Sequence, residues 1–139
     1  MSDASRIMAG ILLITVLAVE FGGLALLAML TRRIPGYLDN PLRQNMFRAG
    51  HAHAGVWVVF ALVALLWVDQ TDLGEPLKWV VRLAFAVAPI LMPLGFFLSV
   101  TRPDAQRPNG VIALVYLGGL ALAIGALTLG VGLLTSGPG

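Results

Sequence analysis

Apolar and polar positions in this chain are sorted into long blocks. Apolar runs at about residues 7–30, 47–68, 79–100 and 111–134 are separated by short polar stretches. A helix of roughly 20 residues crosses about 30 Å of hydrocarbon, and each run is long enough to do so. The pattern therefore predicts an all-α integral membrane four-helix bundle, a single domain over residues 1–139. Ser2-Asp3-Ala4-Ser5 supplies an N-cap for the first helix. Pro35-Gly36, Asn40-Pro41 and Gly74-Glu75-Pro76 read as turns, and residues 102–109 as a loop. Tyr37 suits a membrane interface. Pro89 and Pro93 fall inside the third run, where each removes a backbone donor and predicts a bend. The fourth run carries Gly118, Gly119, Gly125, Gly130 and Gly132, which predicts close packing within the chain or between copies. Four such spans leave little room for a large internal cavity.

Composition strengthens this picture. The chain is 58% hydrophobic and only 12% charged, with a mean hydropathy of +0.89. That leaves too few polar residues to cover a soluble domain. The first apolar run is too long for a cleavable signal and lacks a small-residue cleavage pattern. Cysteine is absent, which excludes disulfides, thiolate ligation of haem, iron–sulfur clusters and thiol catalysis. The net charge of +2 comes from dispersed loop residues, so nothing supports nucleic-acid binding. Arg32, Arg33, Arg43, Arg48, Arg102 and Arg107 belong to the first and third connections, against Arg6, Lys78 and Arg82 on the other side. This bias predicts both termini on the non-cytoplasmic side, with the arginine connections in the cytoplasm of a bacterial cell.

Glu20, His51 and His53 are the candidate functional residues within the apolar blocks. Glu20 lies about 13 residues into the first run, hence roughly 20 Å along the helix axis. Ala18 and Gly22 beside it form a small-xxx-small pair, which predicts that this face meets protein. Glu20 is thus a candidate proton carrier, or an acid that orients an imidazole; alternatively it is a neutral hydrogen-bonding link between helices. His51 and His53, the only histidines, stand in Arg48-Ala49-Gly50-His51-Ala52-His53-Ala54-Gly55 at the head of the second run. An imidazole beside hydrocarbon is costly unless something binds it. Two residues apart on a helix means about 200° of rotation, so the two rings point to nearly opposite faces and cannot share one metal ion. One imidazole per cofactor is the simpler use, and haem needs one axial nitrogen and a flat apolar slot. His53 shares a face with Val56, Trp57 and Phe60, while Ala52, Ala54 and Gly55 leave room for a porphyrin edge. Arg48, Arg43 or Arg32 at the rim would pair with propionates. The alternative is that both histidines only bond loop carbonyls. The five methionines are scattered, and Met46 near His51 gives a copper site only weak support.

The run Arg48–Gly55, entering an apolar helix after a connection that carries Ile34-Pro35-Gly36-Tyr37, resembles styrene oxide isomerase. That resemblance implies a homotrimer of four-helix membrane chains that binds haem b and isomerises small epoxides. The motif's Ala-His-small-Gly core matches Ala52-His53-Ala54-Gly55, which makes His53 the iron ligand, with His51 the second choice and His53, His51, Arg48, Trp57 and Gly55 the cofactor site. Val59 stands where the isomerase pattern has an asparagine about two turns after the histidine, so the resemblance carries the cofactor further than the reaction. The topology is also similar to the MAPEG family of trimeric glutathione and eicosanoid enzymes, although the asparagine and glutamate of its Arg-x-His-x-Asn-x-x-Glu motif have no counterpart here. The expected partners are copies of this chain, membrane lipid and a small apolar substrate. Two other functions stay open: an accessory subunit of a larger membrane complex, with structural histidines, and a MAPEG-like enzyme joining a thiol to a lipophile.

Overall fold

The computed structural model describes residues 1–137, which are helical with no strand among them. Its helices are α1 (Asp3–Thr31), α2 (Pro41–Val68), α3 (Glu75–Leu98) and α4 (Ala113–Thr135), the last preceded by a single 3-10 turn at Gly110–Ile112. All four are long and apolar enough to cross a membrane.

The first three helices begin before their apolar runs, and each early start has a local cause. The Ser2 hydroxyl accepts from the Ser5 N–H and opens α1. Asn40 accepts from the Arg43 N–H, and Pro41 takes the first helical position, where a missing donor costs nothing. Asn40-Pro41 is therefore a helix start rather than a turn, and Arg43 and Arg48 are helical residues. Pro76 occupies the first turn of α3 in the same way. Pro89 and Pro93 sit inside α3, which continues as helix through both.

Helix α3 is the hub. It packs closely on α4 and α2, whereas α1 leans on α2 and barely touches α3. The glycines of α4 divide between its two sides. Gly118, Gly125 and Gly132 are buried. A Cβ at Gly125 would lie 2.7 Å from that of Ala84, and one at Gly118 would lie 2.5 Å from Met92 Cγ. Gly119 and Gly130 would meet nothing within 4 Å.

A cluster of polar bonds closes each end of the bundle. At one end the wholly buried Arg82 guanidinium reaches Asp69 (2.7 Å), Glu75 (3.1 Å) and the hydroxyls of Ser5 (3.1 Å) and Ser2 (3.2 Å). Ser2 also donates its N–H to Asp69. One side chain thereby ties the start of α1 to the end of α2 and the start of α3. Close by in sequence, Asp72 accepts the Gly137 N–H and donates its own N–H to Ser136, so the start and the described end of the chain lie at the same end of the bundle. At the other end Arg43 donates to the carbonyls of Val100, Gly36 and Thr101 at 2.9, 2.9 and 3.2 Å. Asn40 holds those of Pro103 and Ala105 at 3.0 and 2.9 Å. Gly36 has φ of +76° and lies so near Pro103 that a Cβ would come within 2.6 Å of it. Tyr37, in the same connection as Gly36, is wholly buried beside Phe47, with ring centres 5.9 Å apart.

Candidate functional site: two imidazoles on opposite sides of α2

Helix α2 turns its histidines to different neighbours. His51 faces α1, where Gly22 and Gly23 make way for it. A Cβ at Gly23 would stand 3.1 Å from the ring's Cε1 and 3.2 Å from Nε2, and one at Gly22 would stand 3.6 Å from Nδ1. His53 faces α3 and lies 4.8 Å from the Phe96 ring and 6.3 Å from Trp57, the next aromatic along α2. Between them Gly50 is buried against Phe96 and Phe97, so α3 presses on α2 midway between the two rings. No group of three or more His, Asp or Glu side chains that could hold a metal ion comes together among the described residues.

The hydrogen bonding of the two rings differs. His53 Nδ1 lies 2.7 Å from the Ala49 carbonyl, one turn back. A carbonyl can only accept, so Nδ1 carries a proton, and in the neutral ring that leaves the lone pair on Nε2. Anchoring one ring nitrogen to a backbone oxygen is how proteins fix an imidazole that binds metal through the other. His51 makes no hydrogen bond among the described residues.

Each ring has its own space. His51 lines a chamber of about 410 Å³ between α1, α2 and α3, and a shallower groove of about 430 Å³ with Val19, Gly55 and Val56 on the other side of the α1–α2 contact. The chamber is a side-opening recess rather than an enclosed internal cavity, and it exists because α1 has few contacts with α3. Beyond His53, Trp57 and Phe60 border a groove of about 490 Å³ against Gly119, Ala123, Ala126 and Gly130 of α4. The Trp57 Nε1 is buried without a hydrogen-bond partner.

The residues expected to form one cofactor site thus divide between two places. His53 and Trp57 belong together on the α3–α4 side; His51 and Gly55 belong together on the α1 side. Ala54 lines the α1 chamber rather than a slot at His53. Arg48 is exposed and makes no side-chain bond among the described residues, so it is free to meet an anion. Arg43 is not, being held by three carbonyls. Glu20 is exposed within the chain, among the outward-pointing Leu17, Phe21 and Leu24, so no helix of the same chain covers it. Arg82 was counted only by its side of the bundle, yet it lies inside α3 with its guanidinium wholly buried among polar partners. An arginine inside a span was a sufficient signal that it had partners. Phe96 and Phe97 carried no such signal, since only the fold brings them to the histidines.

Comparison with known protein families, with curated proteins and with solved structures returned no match to this chain.

Proposed function

We propose that this chain is an integral membrane protein that binds haem b through His53. The observation that carries this reading is the bond from His53 Nδ1 to the Ala49 carbonyl at 2.7 Å, which anchors the ring and, in its neutral form, leaves Nε2 to bind iron. The surroundings are apolar and aromatic: Phe96 and Trp57 flank the imidazole, and a groove of about 490 Å³ against α4 is lined by Trp57, though not by His53 itself. Arg48 is the rim arginine available to a propionate. Haem, when bound with an open position on its iron, supplies a Lewis acid toward a small oxygenated substrate, such as the epoxide suggested by resemblance to styrene oxide isomerase. Because Val59 stands where that enzyme's pattern has a polar residue, isomerisation is the reading to assay second.

In this proposal the arginine-rich connections lie in the cytoplasm and both termini outside, in a bacterial cytoplasmic membrane. Exposed Glu20, level with the bilayer interior, favours a homo-oligomer, preferably a trimer, in which a second copy covers that face.

The test is the absorption spectrum of the detergent-purified protein, oxidised and reduced, beside His53→Ala and His51→Ala. A Soret band lost in His53→Ala and kept in His51→Ala is the expected result. Loss only in His51→Ala would move the ligand to the α1 side. A colourless wild-type protein, purified after expression with haem supplied, would overturn the proposal and favour an accessory subunit or a thiol-using enzyme.

A further inference from the structure

The chamber between α1, α2 and α3 is not needed by the ligand role of His53, and it has the properties of a binding site in its own right. It holds about 410 Å³. A dry cavity of about 150 Å³ suffices for benzene, so a substituted aromatic ring or a short-chain lipophile fits here. Met8, Ile11, Val19, Ala54, Ile90 and Phe97 give it apolar walls. Two lining side chains have polar atoms that can bond an occupant. The Thr15 hydroxyl is already committed to the Leu12 carbonyl at 2.7 Å. His51 is uncommitted: it lines the chamber, and Nδ1 is the ring atom nearest Gly22, which also lines it. A partly buried imidazole with no partner is costly, and an occupant with one hydrogen-bonding oxygen removes that cost where a plain hydrocarbon tail does not.

The chamber opens sideways. Its border includes Ile11 of α1 and Ile90 and Leu94 of α3, all of which are exposed on the outside of the bundle. These residues lie well inside their helices, so the mouth faces hydrocarbon rather than water if the helices span a bilayer.

We propose that this chamber binds a small neutral lipophile bearing a single hydrogen-bonding oxygen, which enters between α1 and α3 and bonds to His51. The site is independent of what His53 binds, and its test reads ligand rather than colour. The protein, reconstituted in phosphatidylcholine nanodiscs, is titrated with para-fluoroacetophenone and followed by fluorine NMR, with para-fluorotoluene as the shape-matched compound without oxygen. Empty nanodiscs give the partition background. A saturable shift above that background for the ketone, about tenfold weaker or undetectable for the toluene, is expected. His51→Phe should erase the preference for the ketone, and Ala54→Phe, which puts a ring into the chamber, should abolish saturable binding. Equal binding of both compounds by the wild-type protein, or a ketone signal no different from empty nanodiscs, would overturn the proposal without any variant having to fold. Unchanged ketone binding in a folded Ala54→Phe protein would place the site elsewhere.

Discussion

At the scale of single residues, Arg82 carries the clearest energetic consequence. Its side chain is wholly buried and bonded to two carboxylates and two serine hydroxyls. Removing one member of a buried ion pair leaves the others desolvated and uncompensated, at a typical cost of about 3–5 kcal/mol. Arg82→Met should therefore lose stability of that order in a denaturant titration in mixed micelles, and α1 should become more open to proteolysis. Asp69 extends the same point to pH. Burial disfavours its carboxylate, but hydrogen bonds from the Ser2 N–H and the Arg82 guanidinium outweigh burial and hold the pKa at about 2, below the usual 3.8. A carboxylate whose pKa is lowered by folding contributes stability that is complete above its unfolded value and lost as pH falls through the folded one. Wild-type stability should thus decline between about pH 4 and pH 2, and Asp69→Asn should flatten that part of the curve while lowering the plateau. A curve of unchanged shape in Asp69→Asn would show that other carboxylates govern the acid limb.

At the scale of helices, close approach sets the tolerances. A Cβ at Gly95 would come within 2.7 Å of the backbone nitrogen of Val115, and no side-chain rotation relieves that contact. Gly95→Ala should cost about 1–3 kcal/mol by forcing α3 from α4, as overpacking does. Gly10, whose added Cβ would meet nothing within 4 Å, is the matched control. Gly10→Ala should gain about 0.5–1 kcal/mol from helix propensity alone, and thermal unfolding in detergent distinguishes the two signs. The helices were also the most legible part of the sequence. Four apolar runs announced them, and the 3.6-residue period was enough to separate the faces of His51 and His53. Asn40-Pro41 was misread because the same dipeptide opens a turn or caps a helix, and only the helical residues that follow decide between them. The extra residues at the helix starts escaped a reading by hydropathy because caps and prolines, rather than apolar side chains, define them.

At the scale of the whole molecule, the sequence showed which residues were costly to bury but not what they would meet. Arg82 gained four partners from three segments of chain, an outcome no local pattern encodes. Glu20 was read as facing protein from Ala18 and Gly22; Gly22 does meet His51 of α2, yet two positions along a helix is about 200° of rotation, so the carboxyl points outward on nearly the opposite side. The assembly proposal turns on that side chain. If a second copy covers Glu20, Glu20→Lys should bring like charges together within the oligomer and convert it to monomer in native mass spectrometry. If the mass is unchanged, Glu20 does not lie in a contact between copies.

The standing-off of α1 from α3 also bears on how any occupant of the chamber would be dosed. A site open to hydrocarbon equilibrates with the solute dissolved in the bilayer, not with the solute in buffer. Apparent potency per mole added would then rise with the oil–water partition of the compound and fall as more lipid is supplied, even at constant intrinsic affinity. Affinities expressed as mole fraction in the membrane would collapse these differences, leaving the contribution of the imidazole as the residual between compounds of equal lipophilicity.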